Sequence, residues 1–136
     1  MKFLDFVKRK EVRRTGIDMS LFNSLLETAD SDLKFLDKTK IDEFSARKIM
    51  SNYYDVLRSI LEAMALKDGY KVYSHEAFTF YLKEKGEGEI ALKFDRFRRK
   101  RNKINYYGEN ISIEEVEEYS NEIKQIIKEL NEKYLK

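Results

Sequence analysis

The residue types best suited to chemistry are concentrated in one short segment, FDRFRRKRNKINYYG, at positions 94–108. The segment carries six basic side chains and ends in Asn-Tyr-Tyr-Gly. Arginine and lysine bind phosphate groups, and asparagine and tyrosine form hydrogen bonds beside them. Three interpretations are open: a solvated face of an ordinary helix, a nucleic-acid-binding surface, or half of an active site.

Helical periodicity over residues 90–106 separates these basic side chains into two groups. At about 100° per residue, an apolar stripe forms on one side of the helix, made of Ile90, Phe94, Phe97 and Ile104. Arg101 falls inside this stripe, and Arg98 and Asn105 lie just beside it. The other basic residues point away and are interpreted as solvated charge that adds a weak, salt-sensitive attraction to RNA: Arg96, Arg99, Lys100 and Lys103.

Arg101 requires a partner, because an arginine on an apolar stripe is rarely buried alone. One interpretation is a buried ion pair with a carboxylate such as Asp55. The other is an arginine that faces phosphate in a groove, since the planar guanidinium donates two parallel hydrogen bonds and keeps its charge. The sequence leaves both open.

Three motifs around Arg101 resemble the HEPN domain superfamily. The signature of that family is an arginine, usually followed by a polar residue, and then, after about four to six intervening residues, a histidine at a helix end. In this chain Arg101 and Asn102 match the first two positions, and Tyr106 stands after four intervening residues. SNYYDVL at 51–57 is similar to a segment of the family's long helix. DGYKVYSHEAFTFYL at 68–82 is similar to the turn and short helix that follow. The likeness spans about residues 42–108.

The resemblance implies a four-helix core that pairs about a two-fold axis into a homodimer, with the two arginine motifs facing a shared cleft. Active members are endoribonucleases that need no metal or cofactor; histidine assists attack by the RNA 2′-hydroxyl, and arginine steadies the phosphate. A subset forms toxin–antitoxin pairs with a small nucleotidyltransferase. Carried over to this chain, the catalytic positions are Arg101, Asn102 and Tyr106, and the RNA- or phosphate-binding positions are Arg98, Asn105 and Lys103.

Position 106 departs from the signature, which indicates a divergent branch of the family. A histidine titrates near pH 6.5 and exchanges protons at neutral pH, whereas a tyrosine titrates near 10 and is a poor base there. His75, the single histidine, is interpreted as a capping or packing residue rather than the missing base.

Three functions therefore stay open. The first is RNA binding, with or without metal-independent cleavage, by a degenerate motif. The second is non-catalytic binding of a nucleotide or partner by a HEPN-like protein paired with a nucleotidyltransferase. The third is a helical scaffold in which Arg101 is occupied by its own ion pair.

The composition predicts one helical domain covering residues 1–136. The net charge is only +2 although 38% of residues are charged, so nucleic-acid binding must depend on where the charge lies. The absence of cysteine excludes disulfides and thiolate metal sites, and a single histidine disfavours a histidine-based metal centre. No apolar run approaches the ~20 residues of a membrane span, and no signal-peptide core is present, which predicts a cytoplasmic protein.

The absence of proline and the presence of only 5 glycines favour an all-α fold, an antiparallel bundle of five to six helices. The predicted helices cover 2–14, about 17–38, 42–67, 74–86, 87–107 and 112 onward. Phe44 and Ile113 are expected to point inward, with one ring from each of the pairs Tyr53–Tyr54 and Tyr106–Tyr107. Ser112 and Glu115 match a capping box at the start of the last helix.

Overall fold

The computed structural model describes all 136 residues and is mostly helical, which confirms the predicted helical bundle. The six helices follow the predicted order, and two short strands that were not predicted lie between α1 and α2 and between α3 and α4. Their bounds are α1 Phe3–Lys8, β1 Val12–Arg14, α2 Met19–Asp37, α3 Ala46–Lys67, β2 Tyr70–Val72, α4 His75–Glu84, α5 Gly88–Tyr107 and α6 Ile113–Tyr134.

Helix α3 lies at the centre of the bundle. It packs against α2, α5 and α6, and α5 also packs against α4. Its length follows from 22 residues without glycine or proline, and apolar side chains recur along it on more than one face. Most of α3 is buried, and the partly exposed polar residues Asp55, Arg58 and Glu62 recur on one side of it. We call this side the open edge of α3.

The first predicted helix, over residues 2–14, is wrong in its second half. Helix α1 ends at Lys8, and Lys10 adopts a left-handed conformation with φ 63° that directs the chain into β1. Strand β1 pairs antiparallel with β2, with Val12 opposite Val72. Both strands are three residues long, too short to produce the alternation that identifies a strand in sequence.

Helix α3 starts later than predicted, and Phe44 does not point inward. The Asp42 carboxylate accepts hydrogen bonds from the backbone N–H groups of Phe44 and Ser45, each at 2.9 Å. This turn projects the Phe44 ring outward, and 87% of the residue is exposed. Ile113 is likewise only half-buried, because the apolar position that closes this end of the core is Ile111.

The start of α6 agrees with the prediction. Ser112 Oγ accepts from the Glu115 N–H at 3.1 Å, and the Glu115 carboxylate accepts from the Ser112 N–H at 3.3 Å. Ser74 occupies the corresponding position before α4, but its side chain forms no capping hydrogen bond. None of the helices combines the length and the apolar character that crossing a bilayer would require.

Candidate functional site

Helix α5 carries the candidate site, and the predicted stripe fixes its orientation. The four apolar residues of that stripe are all buried: Ile90, Phe94, Phe97 and Ile104. The helix is capped by Gly108, whose φ of 65° is the left-handed conformation that favours glycine. The C-terminal turn of α5 is joined to α3, because Arg47 donates to the Ile104 carbonyl at 3.1 Å and Ser51 to Asn105 Oδ1 at 2.9 Å.

Arg101 lies between two aromatic rings at the open edge of α3. Its guanidinium carbon is 5.4 Å from the centroid of Tyr54 and 6.0 Å from that of Tyr106, within the range of a cation–π contact. Tyr54 is fully buried, whereas Tyr106 is 69% exposed. The guanidinium is therefore supported from the core side by one ring and bordered on the solvent side by the other.

The ion pair between Arg101 and Asp55 is present but long. Arg101 Nη2 is 3.9 Å from Asp55 Oδ1, beyond hydrogen-bond distance, and Arg101 Nε is buried without any hydrogen-bond partner. Burial raises the pKa of Asp55, against the opposing charges of Arg58 and Arg101. The Arg101 side chain keeps 17% of its surface exposed, so part of its donor capacity remains available to an anion.

Two more arginines complete what we call the arginine cluster: Arg58, Arg98 and Arg101. Arg58 lies on α3 and contacts Glu62 at 3.2 Å. Arg98 donates two hydrogen bonds to Asp95 Oδ1, at 2.8 and 3.2 Å. Three carboxylates, Asp55, Glu62 and Asp95, accompany the three arginines, and Arg101 is the arginine without a close acceptor.

His75 contacts Tyr54, and the ring of Tyr54 in turn contacts Arg101 of this cluster. His75 Nδ1 is 3.0 Å from the Tyr54 hydroxyl. Burial, reinforced by the charges of Arg58, Arg101 and Arg98, lowers the pKa of His75 to about 4. At neutral pH the imidazole is therefore uncharged. Burial raises the pKa of Tyr54 strongly, so the phenol keeps its proton and can donate it to Nδ1.

An open cleft of about 220 Å³ borders the cluster on the far side of Asp55. Its walls include Asp32, Phe35 and Asn52 in addition to Asp55. Two carboxylates on one wall repel an anion. This cleft is therefore unfavourable for an anion.

The structure brings some of the predicted site residues together and separates others. Arg101, Tyr106 and Asn105 lie at the junction of α5 with α3, with Arg98 one turn away. Asn102 is half-buried, and its amide forms no hydrogen bond within the chain. Lys103 is exposed and points away from Arg101, so it does not share a surface with the cluster.

The outer basic face of α5 is mostly engaged with carboxylates, as expected of a structural surface. Arg96 pairs with Glu122, and Arg99 contacts Asp95 at 2.9 Å. Lys100 was predicted to be solvent-facing, and this is wrong: only 16% of its side chain is exposed, and it contacts Glu109 at 3.0 Å. Lys100 ties α5 to the loop before α6.

The tyrosine pairs also differ from the prediction of one buried ring each. Tyr53 and Tyr54 are both buried, while Tyr106 and Tyr107 are 69% and 83% exposed. Tyr53 turns toward α2 and α6, where its hydroxyl lies 3.5 Å from Asp37. Tyr107 is the last residue of α5 and lies beyond the reach of the core.

Sequence reasoning missed Arg58 and the contact between Tyr54 and His75. Tyr54 and Arg58 are four residues apart on α3, so they share a helix face, which was the available signal for Arg58. Nothing in the sequence places His75 of α4 beside Tyr54.

Comparison of the chain with known protein families, with curated proteins and with solved structures finds no match.

Proposed function

We propose that this chain is a HEPN-like, RNA-directed protein in which Arg101 binds an RNA phosphate. The observation that carries the proposal is the state of Arg101. It is oriented by Tyr54 and Tyr106, its Nε lacks a partner, and its nearest carboxylate oxygen is 3.9 Å away. A guanidinium held in this way is suited to a phosphate, which accepts two parallel hydrogen bonds from it.

A homodimer belongs to this proposal, and exposed aromatic side chains support it. Phe44 precedes Arg47 in sequence and is 87% exposed. Tyr106 and Tyr107 follow Ile104, whose carbonyl accepts from Arg47, and they are exposed as well. Exposed aromatic surface of this kind is typical of an interaction site. Pairing through this end of the bundle would bring the two Arg101 side chains to one cleft and cover the aromatic rings.

RNA cleavage in this cleft would proceed by transesterification. The 2′-oxygen forms a bond to phosphorus, the bond from phosphorus to the 5′-oxygen breaks, and the products are a 2′,3′-cyclic phosphate and a 5′-hydroxyl. A base removes the 2′-hydroxyl proton, and the departing 5′-oxygen takes up a proton. Arg101 would stabilise the additional negative charge that develops on the phosphoryl oxygens.

The second candidate is non-catalytic binding of a nucleotide or of a nucleotidyltransferase partner. The observation that favours it concerns proton transfer: the histidine of the signature is replaced by Tyr106, and His75 is neutral and held by Tyr54. A site built in this way binds phosphate without an evident general base. In this case the exposed Tyr106 and Tyr107 would contact the partner.

Incubation with mixed single-stranded RNA in EDTA separates the two candidates. The variant is Arg101→Ala, and the matched control is Arg99→Ala, which removes an arginine two residues away that is 72% exposed. Cleavage to cyclic phosphates by wild type and Arg99→Ala, but not by Arg101→Ala, supports the nuclease. Retention of RNA without cleavage supports the binding protein, and equal degradation by all three preparations points to a contaminating nuclease.

A further inference from the structure

A second basic surface lies on the β-ribbon, outside the arginine cluster. We call it the basic ribbon; its residues are Lys8, Lys10, Arg13, Arg14 and Lys71. The first four are exposed, and none has a carboxylate within salt-bridge distance, whereas the cations of α5 around Asp95 and Glu109 are paired. The basic ribbon therefore carries four exposed cations without a carboxylate partner, and its fifth cation, Lys71, is paired with Glu62.

The strand register divides this charge between two faces: Arg13 and Lys71 share one face, and Arg14, the next residue of β1, lies on the other. Arg13 lies directly opposite Lys71, and like charges in opposite positions disfavour strand pairing. Tyr73 lies two residues beyond Lys71, so its ring extends from the same face; its N–H donates to the Glu11 carbonyl at 2.8 Å. Tyr73 is 57% exposed. The face combines cations with an accessible aromatic ring.

The basic ribbon is continuous with the arginine cluster along the open edge of α3. Glu62 bridges Arg58 of that cluster and Lys71 of the ribbon. Only 12% of the Glu62 side chain is exposed, so the two cations cover the carboxylate that joins them. Arg58 and Arg101 are linked in turn through Asp55. From Asp55 to Glu62 the edge extends about 10 Å along the helix.

A cleft of about 190 Å³ opens on the ribbon itself, and its walls include Arg13, Arg14, Lys71 and Tyr73. The one carboxylate in its wall, Asp18, already accepts a hydrogen bond from the Leu21 N–H at 3.0 Å as the cap of α2. A groove with backbone-binding cations and a stacking ring is the arrangement that binds single-stranded nucleic acid.

We propose that single-stranded RNA extends from the arginine cluster along the edge of α3 to the basic ribbon. Arg13 and Lys71 contact its phosphates on the face that carries Tyr73, Tyr73 stacks on a base, and Arg14 adds positive charge from the wall of the cleft. The inference rests on the proposed function, since it names the path of the RNA that Arg101 binds. The positive charge of the ribbon favours a polyanion as its ligand. Arg58 and Lys71 both contact Glu62, so the arginine cluster and the basic ribbon lie on one surface that a single RNA strand can follow.

The test is fluorescence anisotropy with a labelled oligouridylate of about 12 nucleotides. The variant Arg13→Ala/Arg14→Ala removes two exposed, unpaired cations and leaves the Glu62 bridge intact. The matched control, Lys38→Ala/Lys128→Ala, also removes two exposed, unpaired cations, from the far end of α2 and from α6. We expect the ribbon variant to bind about tenfold more weakly at 0.1 M salt, with a salt slope shallower by about 1.4, and Tyr73→Ala to bind about tenfold more weakly as well.

Comparison with Arg101→Ala separates this inference from the proposed function. If Arg101→Ala weakens binding and the ribbon variant behaves as its control does, the path is wrong and the proposed function stands. If only the ribbon variant weakens binding, the ribbon binds RNA and the role of Arg101 is wrong. If the wild type binds no RNA, both are overturned. Loss of binding to vesicles of anionic lipid, with RNA binding unchanged, would show that the ribbon is a membrane contact and would overturn the inference.

Discussion

The guanidinium of Arg101 lies 5.4 Å from the centroid of the Tyr54 ring, and that ring is fully buried. Tyr54 is in turn stacked on Phe94 of α5, with centroids 5.6 Å apart and planes inclined by 22°. The arginine is thus positioned by packing from the core, while its carboxylate contact to Asp55 is long at 3.9 Å. Positioning by a ring leaves the terminal Nη N–H groups without a close acceptor, whereas positioning by a close carboxylate would occupy them; Nε is buried against the core.

The first prediction concerns the core that supports Tyr54. Phe94 is fully buried, so Phe94→Ala should lower the free energy of unfolding by about 3–5 kcal/mol. Leu92→Ala is the control on the same helix; Leu92 is 68% exposed, and we expect a change within about 0.5 kcal/mol. Urea unfolding followed by circular dichroism measures both. Equal effects of the two variants would contradict the packing described for α5.

The second prediction concerns the pH dependence of stability through His75. The pKa of His75 in the folded state, about 4, lies below its ordinary value of 6.5, so the unfolded chain binds more protons between these two pH values. The contribution of His75 is therefore fully present above about pH 6.5 and is lost as the pH falls toward 4. Because His75 is only partly buried, we expect about 1–2 kcal/mol over that window.

Urea unfolding at pH 7.5 and 4.5 tests this prediction with His75→Gln, which cannot titrate. Carboxylates destabilise both proteins in acid, so the informative quantity is the difference between them. The wild type should lose more stability than His75→Gln on acidification. An identical loss in the two proteins would show that His75 is not held neutral by burial and by Arg58, Arg98 and Arg101.

The third prediction compares two serines at helix starts. Ser112 Oγ accepts from the Glu115 N–H at 3.1 Å, so Ser112→Ala should lower the free energy of unfolding by about 1 kcal/mol. Ser74 has the equivalent position before α4 but makes no such bond, so Ser74→Ala should have a much smaller effect. Thermal unfolding of the two variants side by side checks the contrast, and a larger loss for Ser74→Ala would contradict it.

The fourth prediction concerns self-association. If the aromatic end of the bundle is the dimer interface, Phe44→Glu and Tyr107→Glu should each shift the protein toward monomer, because a carboxylate would be buried against apolar surface. Leu92→Glu introduces the same charge about 20 Å away along α5 and should leave the dimer unchanged. Sedimentation velocity distinguishes the species. A wild-type protein that sediments as a monomer at high concentration would remove the dimer from the proposal.

The helices could be predicted from sequence wherever the apolar pattern extended over several turns. The stripe of α5 and the capping box of α6 were both predicted correctly, because each depends on residues within one helix. The strand pair was not, since Val12 and Val72 meet only through a contact between distant segments, and three residues carry no usable alternation. Phe44 was misplaced because the Asp42 turn interrupts the pattern just before α3.

The candidate site was predictable only in part, for the same reason. Arg101 stood out because an arginine interrupts an otherwise apolar stripe. Its surroundings come from three helices: Tyr54 from α3, His75 from α4 and Tyr106 from α5. The aromatic contacts and the unpartnered Nε exist only after those helices pack. Lys100 was misjudged because Glu109 and Glu115 approach it from beyond the helix end.

The central claim is that Arg101 binds an RNA phosphate, and the affinity of the Arg101 variants for single-stranded RNA tests it most directly. We predict that Arg101→Ala binds a labelled oligouridylate about 10- to 100-fold more weakly than wild type. Arg101→Lys should recover only part of the loss, because an ammonium cannot donate two parallel hydrogen bonds, and Arg99→Ala should bind as wild type does. Unchanged affinity in Arg101→Ala, with the fold intact by circular dichroism, would contradict the claim.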